Sequence, residues 1–224
     1  MKKISKYIFS LLLSLALIIP EVKAQEREWN GISIGCDLSK FIVPFIDTTR
    51  LGWEVSGDFE IIKDLFLAAE VGSQSTNFIN KGYTYSSDGV YTRLGADYNF
   101  MKHIDTESED KMFVGLRYGF TTFAHQASNI SITDSYWGDF KGGQTVSTWL
   151  GANWLEVGAG IRARLFNNFY LGWSARIRIM IGVSDDDVLE PYNIPGYGRP
   201  LNNTAAGFNY SIYYKIPLYK RVIK

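Results

Sequence analysis

The sequence predicts an all-β chain: an eight-stranded antiparallel up-and-down transmembrane β-barrel with a charged, glycine-rich lumen. Three observations carry this. Apolar and polar residues alternate with period two in eight separate stretches, a period that belongs to strands and not to helices. The connections between the stretches alternate between long and short, the asymmetry of a membrane barrel. The polar face of the stretches carries glycine together with long cations, as in RARLFNNFYLGWSARIR (162–178).

The first 24 residues are expected to precede the fold. Lys2, Lys3 and Lys6 make a positive start, residues 7–19 an apolar core, and Val22 and Ala24 place small residues before Gln25. That is the pattern of a secretory signal peptide cut after Ala24, leaving 25–224 as one barrel domain. The apolar run is too short for a spanning helix, which needs about 20 residues. Four of the 23 basic and one of the 23 acidic residues fall in it, leaving 19 against 22. A slightly acidic remainder argues against nucleic acid as a partner. Cys36 is alone, and no Cys/His cluster has metal-site spacing, so no disulfide, metal or cofactor is expected.

The alternating stretches are 32–39, 51–61, 65–73, 90–100, 112–121, 155–165, 169–181 and 208–218. Each is close to the roughly 9–11 residues of a transmembrane strand. Outside the signal, helical spacing finds no support. Long connections fall at 41–50, 75–89, 125–150 and 182–206, short ones at 62–64 and 166–168, with a charged link at 101–111. Inward residues are even-numbered on both sides of 166–168, so that turn must hold an odd number of residues. A three-residue hairpin with Asn168 in the left-handed region satisfies this, and 62–64 does the same. In that register Arg178 faces Glu156, Arg176 faces Gly158 and Arg162 faces Gly172.

Glycine decides which face is inside. Gly72, Gly95, Gly115, Gly158, Gly160 and Gly172 share the polar face. Glycine weakens an exposed strand, whereas a narrow lumen needs small residues beside arginine. The apolar face, with Trp53, Phe59, Tyr98, Phe100, Tyr118, Phe120, Phe169, Trp173, Tyr210 and Tyr214, is too aromatic for a small soluble lumen and suits interfacial girdles. The inward charges are Asp37, Glu54, Asp58, Glu60, Glu70, Asp97 and Glu156 against Arg93, Arg117, Arg162, Arg164, Arg176, Arg178 and Lys215. Acids dominate the first three strands and bases the last four. An eight-stranded lumen has room only for side chains, so ion pairs across it are expected to close it.

The alternating strands from Gly31 to Leu218 resemble the small eight-stranded outer-membrane β-barrels. The loop DVLEPYNIPGYGRP (187–200) and the closing strand resemble, more narrowly, a barrel family of Bacteroides-type bacteria that is a domain of unknown function. No activity and no site residue come with that resemblance. It implies outer-membrane lipids and the barrel-assembly machinery as partners. The closing strand departs from the usual terminal signal because KRVIK follows it.

Two loops rich in aromatics, Gly and Pro offer Tyr136, Trp137, Trp149, Tyr192 and Tyr197 as an extracellular contact surface, unless these rings pack on one another and on the rim. His125, beside Ser128 and near Asp134, is the one candidate for a hydroxyl-activating set, as in barrels that modify lipid A. The sequence therefore predicts a monomeric, non-enzymatic barrel with both termini periplasmic, acting structurally or through its outer loops. A lipid A-modifying hydrolase or acyltransferase built on His125 and a narrow channel are the alternatives.

Overall fold

The computed structural model describes residues 31–79, 82–101, 110–134, 138–141, 146–184, 190–200 and 203–218. The expected signal peptide and its cleavage point lie outside them. The strands are β1 (Ile32–Asp37), β2 (Arg50–Ile62), β3 (Leu65–Ile79), β4 (Thr84–Asn99), β5 (Lys111–Ser128), β6 (Ser131–Asp134), β7 (Gly138–Lys141), β8 (Val146–Phe166), β9 (Phe169–Val183) and β10 (Thr204–Ile216). One helix, α1 (Ser39–Ile46), stands between β1 and β2.

Eight of these strands close an antiparallel barrel in the order β1-β10-β9-β8-β5-β4-β3-β2. Closure comes from β1 pairing with β10, from Ile32↔Ile216 to Asp37↔Ser211. β6 and β7 form a separate hairpin inside the long connection after β5. Along β5, exposed and buried residues alternate for nearly its whole length, because successive side chains point to opposite faces. The outward set is apolar: Ile34, Leu67, Val71, Leu94, Val114, Leu116, Val157, Ile161 and Ile177 are exposed. The inward set is polar and buried: Glu54, Asp58, Glu70, Arg93, Asp97, Arg117, Glu156, Arg162, Arg176 and Arg178. A soluble barrel has the opposite polarity, so this is a transmembrane barrel.

The predicted strands are present, but several run further than the hydrophobic pattern shows. The expected loop at 75–89 is mostly ladder, since β3 and β4 stay paired to Ile79↔Thr84. Likewise β5 and β8 stay paired to Ala127↔Val146, inside the expected loop at 125–150. Residues such as Ser73, Gln74, Ser75, Thr76 and Asn77 show no apolar–polar alternation because both faces there are polar. Backbone pairing continues regardless of side-chain pattern, and the period fades where the lipid ends.

Two further expectations change. The segment SKFIVPFI is helical despite Pro44; an apolar run this short does not display a helical period. At 166–168 the left-handed residue is Asn167 (φ 44), not Asn168. Phe166 pairs with Phe169, and the odd residue is absorbed by a register shift between Arg164 and Phe166. At the other short turn Asp64 takes φ 65, with the shift between Glu60 and Ile62. Because each shift preserves the parity, Glu156↔Arg178, Gly158↔Arg176 and Arg162↔Gly172 are the observed partners.

Candidate functional site

The lumen is filled in two storeys. Nearer the short-turn end, Asp58 on β2 receives Arg162 of β8 through the two terminal guanidinium nitrogens, at 2.7 and 3.2 Å. Lys111 of β5 approaches the same carboxylate at 3.3 Å. The Arg162 guanidinium lies 3.6 Å from the centre of the Tyr213 ring, so the cation has a carboxylate on one side and a π face on another.

The middle of the barrel holds a denser cluster. Glu70 on β3 takes Arg176 of β9 bidentately at 2.6 and 2.8 Å, Arg93 of β4 at 2.7 Å and Arg117 of β5 at 3.0 Å. Arg93 also reaches Glu54 at 3.0 Å and Glu156 at 2.8 Å. Asp97 pairs with Arg117 at 2.8 Å, and Glu156 has Arg178 at 3.2 Å. Neutral donors complete the acids: Tyr91 gives its hydroxyl proton to Glu54 at 2.6 Å, and Trp154 its indole N–H to Glu156 at 2.7 Å. Four carboxylates and four guanidiniums therefore meet away from water. Buried charge persists only when paired and hydrogen-bonded, which this geometry provides.

The upper storey comes from a loop. Residues 190–200, between β9 and β10, turn down into the barrel mouth, where Asn193, Ile194 and Tyr197 are 0% exposed. Ile194 and Tyr197 pack with Tyr91, Phe123, Leu150, Ala152 and Trp154. Gly196 has φ +77, and a Cβ there would strike the Tyr91 ring; only glycine allows this descent. Polar contacts tie the loop to the wall. Arg93 donates to the Gly196 carbonyl at 3.0 Å and Arg178 to the Tyr197 carbonyl at 2.9 Å. Asn193 donates to Thr76 at 2.9 Å and receives the Ser87 hydroxyl on its carbonyl at 3.0 Å. The same arginines thus serve both storeys.

Several predicted members make contacts outside that cluster. Asp37 accepts instead from the Asn209 amide at 2.6 Å and from the Ser39 N–H at 2.9 Å. Glu60 accepts the Asp64 N–H at 2.8 Å, fixing a turn. Arg164 is exposed and donates to the Asn167 carbonyl at 2.7 Å; near the strand end its long side chain reaches the turn before the lumen. Lys215 is half-buried next to the turn end. Tyr91, Trp154 and Tyr213 are partners that charge counting passes over, and Lys111 one that the expected link at 101–111 hides. Each has the inward parity of its strand, and that signal is sufficient to find them.

The aromatic contact candidates separate. Tyr197 is buried inside the barrel and cannot serve as a surface. Tyr192 is stacked on Phe78 at 5.1 Å and meets Tyr85 edge-on at 5.8 Å. Trp149 is 75% exposed on the outward face of β8. Tyr136 and Trp137 lie outside the described residues. His125 is inward and 1% exposed, edge-on to Tyr85 and Phe123 at 6.2 and 6.0 Å. Ser128, three residues on along a strand, takes the opposite parity and so the opposite face. A lipid-facing His–Ser pair is thereby ruled out. Among the described residues no cluster of His, Cys, Asp and Glu could hold a metal ion.

A closed wall, an apolar exterior and a lumen of paired charges define a small eight-stranded transmembrane β-barrel. The chain belongs to the family described as Domain of unknown function (DUF6048), which matches residues 4–221. No curated protein matches its sequence. Solved structures similar to it include Neisserial surface protein A, 14% identical, with 85% of this chain and 100% of that one covered and a TM-score of 0.43. A major outer membrane protein from Thermus thermophilus is 11% identical, with 84% and 99% covered and a TM-score of 0.47. Ail, the attachment invasion locus protein of Yersinia pestis, is 12% identical, with 84% and 97% covered and a TM-score of 0.39. Likeness at this level transfers no residue and no role.

Proposed function

We propose that the chain is exported behind a signal peptide cut after Ala24 and resides in the outer membrane as a monomeric, non-enzymatic barrel with both termini periplasmic. Its role is structural or one of surface interaction, exercised through the end that carries the long connections. The observation that supports this is the double filling of the lumen. Ion pairs occupy its middle and a folded-in loop its mouth, which puts the exposed chemistry at the rim. β5 and β8, the latter carrying the exposed Trp149, are the longest of the described strands.

Three experiments test the reading. In planar bilayers the purified protein is expected to hold conductance near baseline; steady, large conductance would replace the plug with a channel. On intact cells, a thiol tag within 134–148 is expected to react with an impermeant reagent and one within 104–109 to stay protected. The reverse pattern inverts the sidedness. Lipid A from a deletion strain and its complemented parent is expected to have one mass spectrum, and a difference in acyl content would restore the enzyme.

A further inference from the structure

The barrel is closed, but β1 is its shortest wall strand and stops before its neighbours do. β1 pairs with β2 only as far as Cys36↔Val55 and with β10 only as far as Asp37↔Ser211. A last backbone bond, Leu38 N–H to the Tyr210 carbonyl at 2.8 Å, ends the seam. Beyond it, β2 continues to Arg50 and β10 to Thr204, each still paired on its other side to β3 or β9. Among the described residues no strand lies between them. Strands stand about 4.8 Å apart, so an absent strand leaves a gap of about 10 Å.

α1 occupies this gap, packed against β2 and β10. It turns Phe45 and Ile46 outward, 89% and 84% exposed. Trp53 on β2 and Phe208 on β10 flank the opening with exposed rings, the kind of residue that marks a bilayer interface. The gap therefore sits at lipid level, and its outer lining is apolar.

Behind α1 lies a cleft of about 410 Å³. Lys40 of α1, Arg50 of β2, Arg178 of β9 and Arg199 of the inward loop all line it, and among the described residues no Asp or Glu does. Their counter-charges stand outside the lining: Glu54 is 3.9 Å from Lys40, Asp47 3.3 Å from Arg50 and Glu156 3.2 Å from Arg178. Arg199 has its guanidinium 4.1 Å from the centre of the Tyr192 ring. Gly207 also lines the cleft, and a Cβ there would strike the Arg178 guanidinium. At Gly198 an added Cβ would meet nothing within 4 Å.

The geometry points to a binding site for an amphipathic anion. A phosphate or carboxylate headgroup is held by Lys40, Arg178 and Arg199, with Arg50 at the rim, and its acyl chain leaves sideways through the β2–β10 gap along α1. A small free anion would satisfy the cations but not the apolar opening. A neutral lipid would fill the opening but gain nothing from the cations. The site opens through the wall and above the ion-pair cluster, so it stands whether or not the lumen conducts.

The full barrel in dodecyl maltoside is titrated with dodecyl phosphate, with dodecanoate and with inorganic phosphate, following the heat of binding. The two tailed anions are expected to bind saturably and to compete, their order naming the headgroup, while inorganic phosphate binds at least roughly tenfold more weakly. Lys40→Gln with Arg199→Gln is expected to weaken the tailed anions by roughly tenfold, as loss of charge-assisted bonds requires. On the unmodified chain, a photoreactive fatty acid is expected to label 39–52 and 204–209. Unsaturable partitioning that is equal in wild type and variant, equal affinity for inorganic phosphate, or labelling confined to other strands would each overturn the site.

Discussion

The two storeys of the lumen solve one problem with opposite materials. In the middle, Glu70, Glu156 and Arg93 come from strands, and each position follows from register and parity. At the mouth, Ile194 and Tyr197 come from a loop that has no register and is held by glycine conformation, apolar packing and borrowed arginines. The lower storey is charged because only long, polar side chains reach across a water-free bore from opposite walls. The upper storey is apolar because the loop brings its backbone in as well, and the carbonyls of Gly196 and Tyr197 then supply the polarity. Strand-borne filling depends on partners; loop-borne filling depends on shape.

Removing partners should therefore do the greatest harm. Glu70→Ala takes a carboxylate from Arg93, Arg117 and Arg176 at once, and the expected loss is about 5 kcal/mol, the top of the range for breaking a buried pair. It is read as a lower urea midpoint in detergent, or as failure to refold. Arg176→Ala removes one of those three cations, leaving Glu70 with two, and is expected to cost about 3 kcal/mol. It should also admit a small leak beside Gly158. If either variant unfolds where wild type does, the lower storey contributes nothing and the contrast collapses.

Changing shape should cost less and report differently. Ile194→Ala leaves a void among Tyr91, Phe123 and Trp154, with an expected loss of about 2 kcal/mol and conductance still at baseline, because the ion pairs below remain. Combining it with Arg176→Ala is expected to raise the leak above that of Arg176→Ala alone. An equal leak in the single and double variants would show that the loop adds nothing to the seal. The smallest effect is expected outside both storeys: Arg50→Ala loses a partly exposed pair with Asp47 worth about 0–1 kcal/mol, and about 1 M salt, which screens exposed charges, should erase the difference.

Much of this molecule is legible in the order of its residues. The strands follow from Leu51, Trp53 and Val55 alternating with Gly52 and Glu54, and the inward arginines from their spacing around Asn167 and Asn168. Charge misleads when it is the only marker of the inside. It overlooks Tyr91 and Trp154, which close the acid cluster. α1 escapes the pattern because eight residues with an interior proline are too few to be told from a loop.

The sequence by itself determined the sidedness of every membrane strand, because a strand between lipid and a polar bore must write two solvents into alternate residues. It also determined the sign of each arc, acids on β2 and β3 and bases on β8 and β9. Only the tertiary structure decided that Glu70 gathers three arginines, that Asp37 holds Ser39 and Asn209 instead of a cation, and that Tyr197 turns inward. These contacts join residues more than a hundred positions apart in several cases, such as Arg176 with Glu70, and they exist only once β1 has met β10. The inward loop likewise has nothing to fill until the barrel has closed around it.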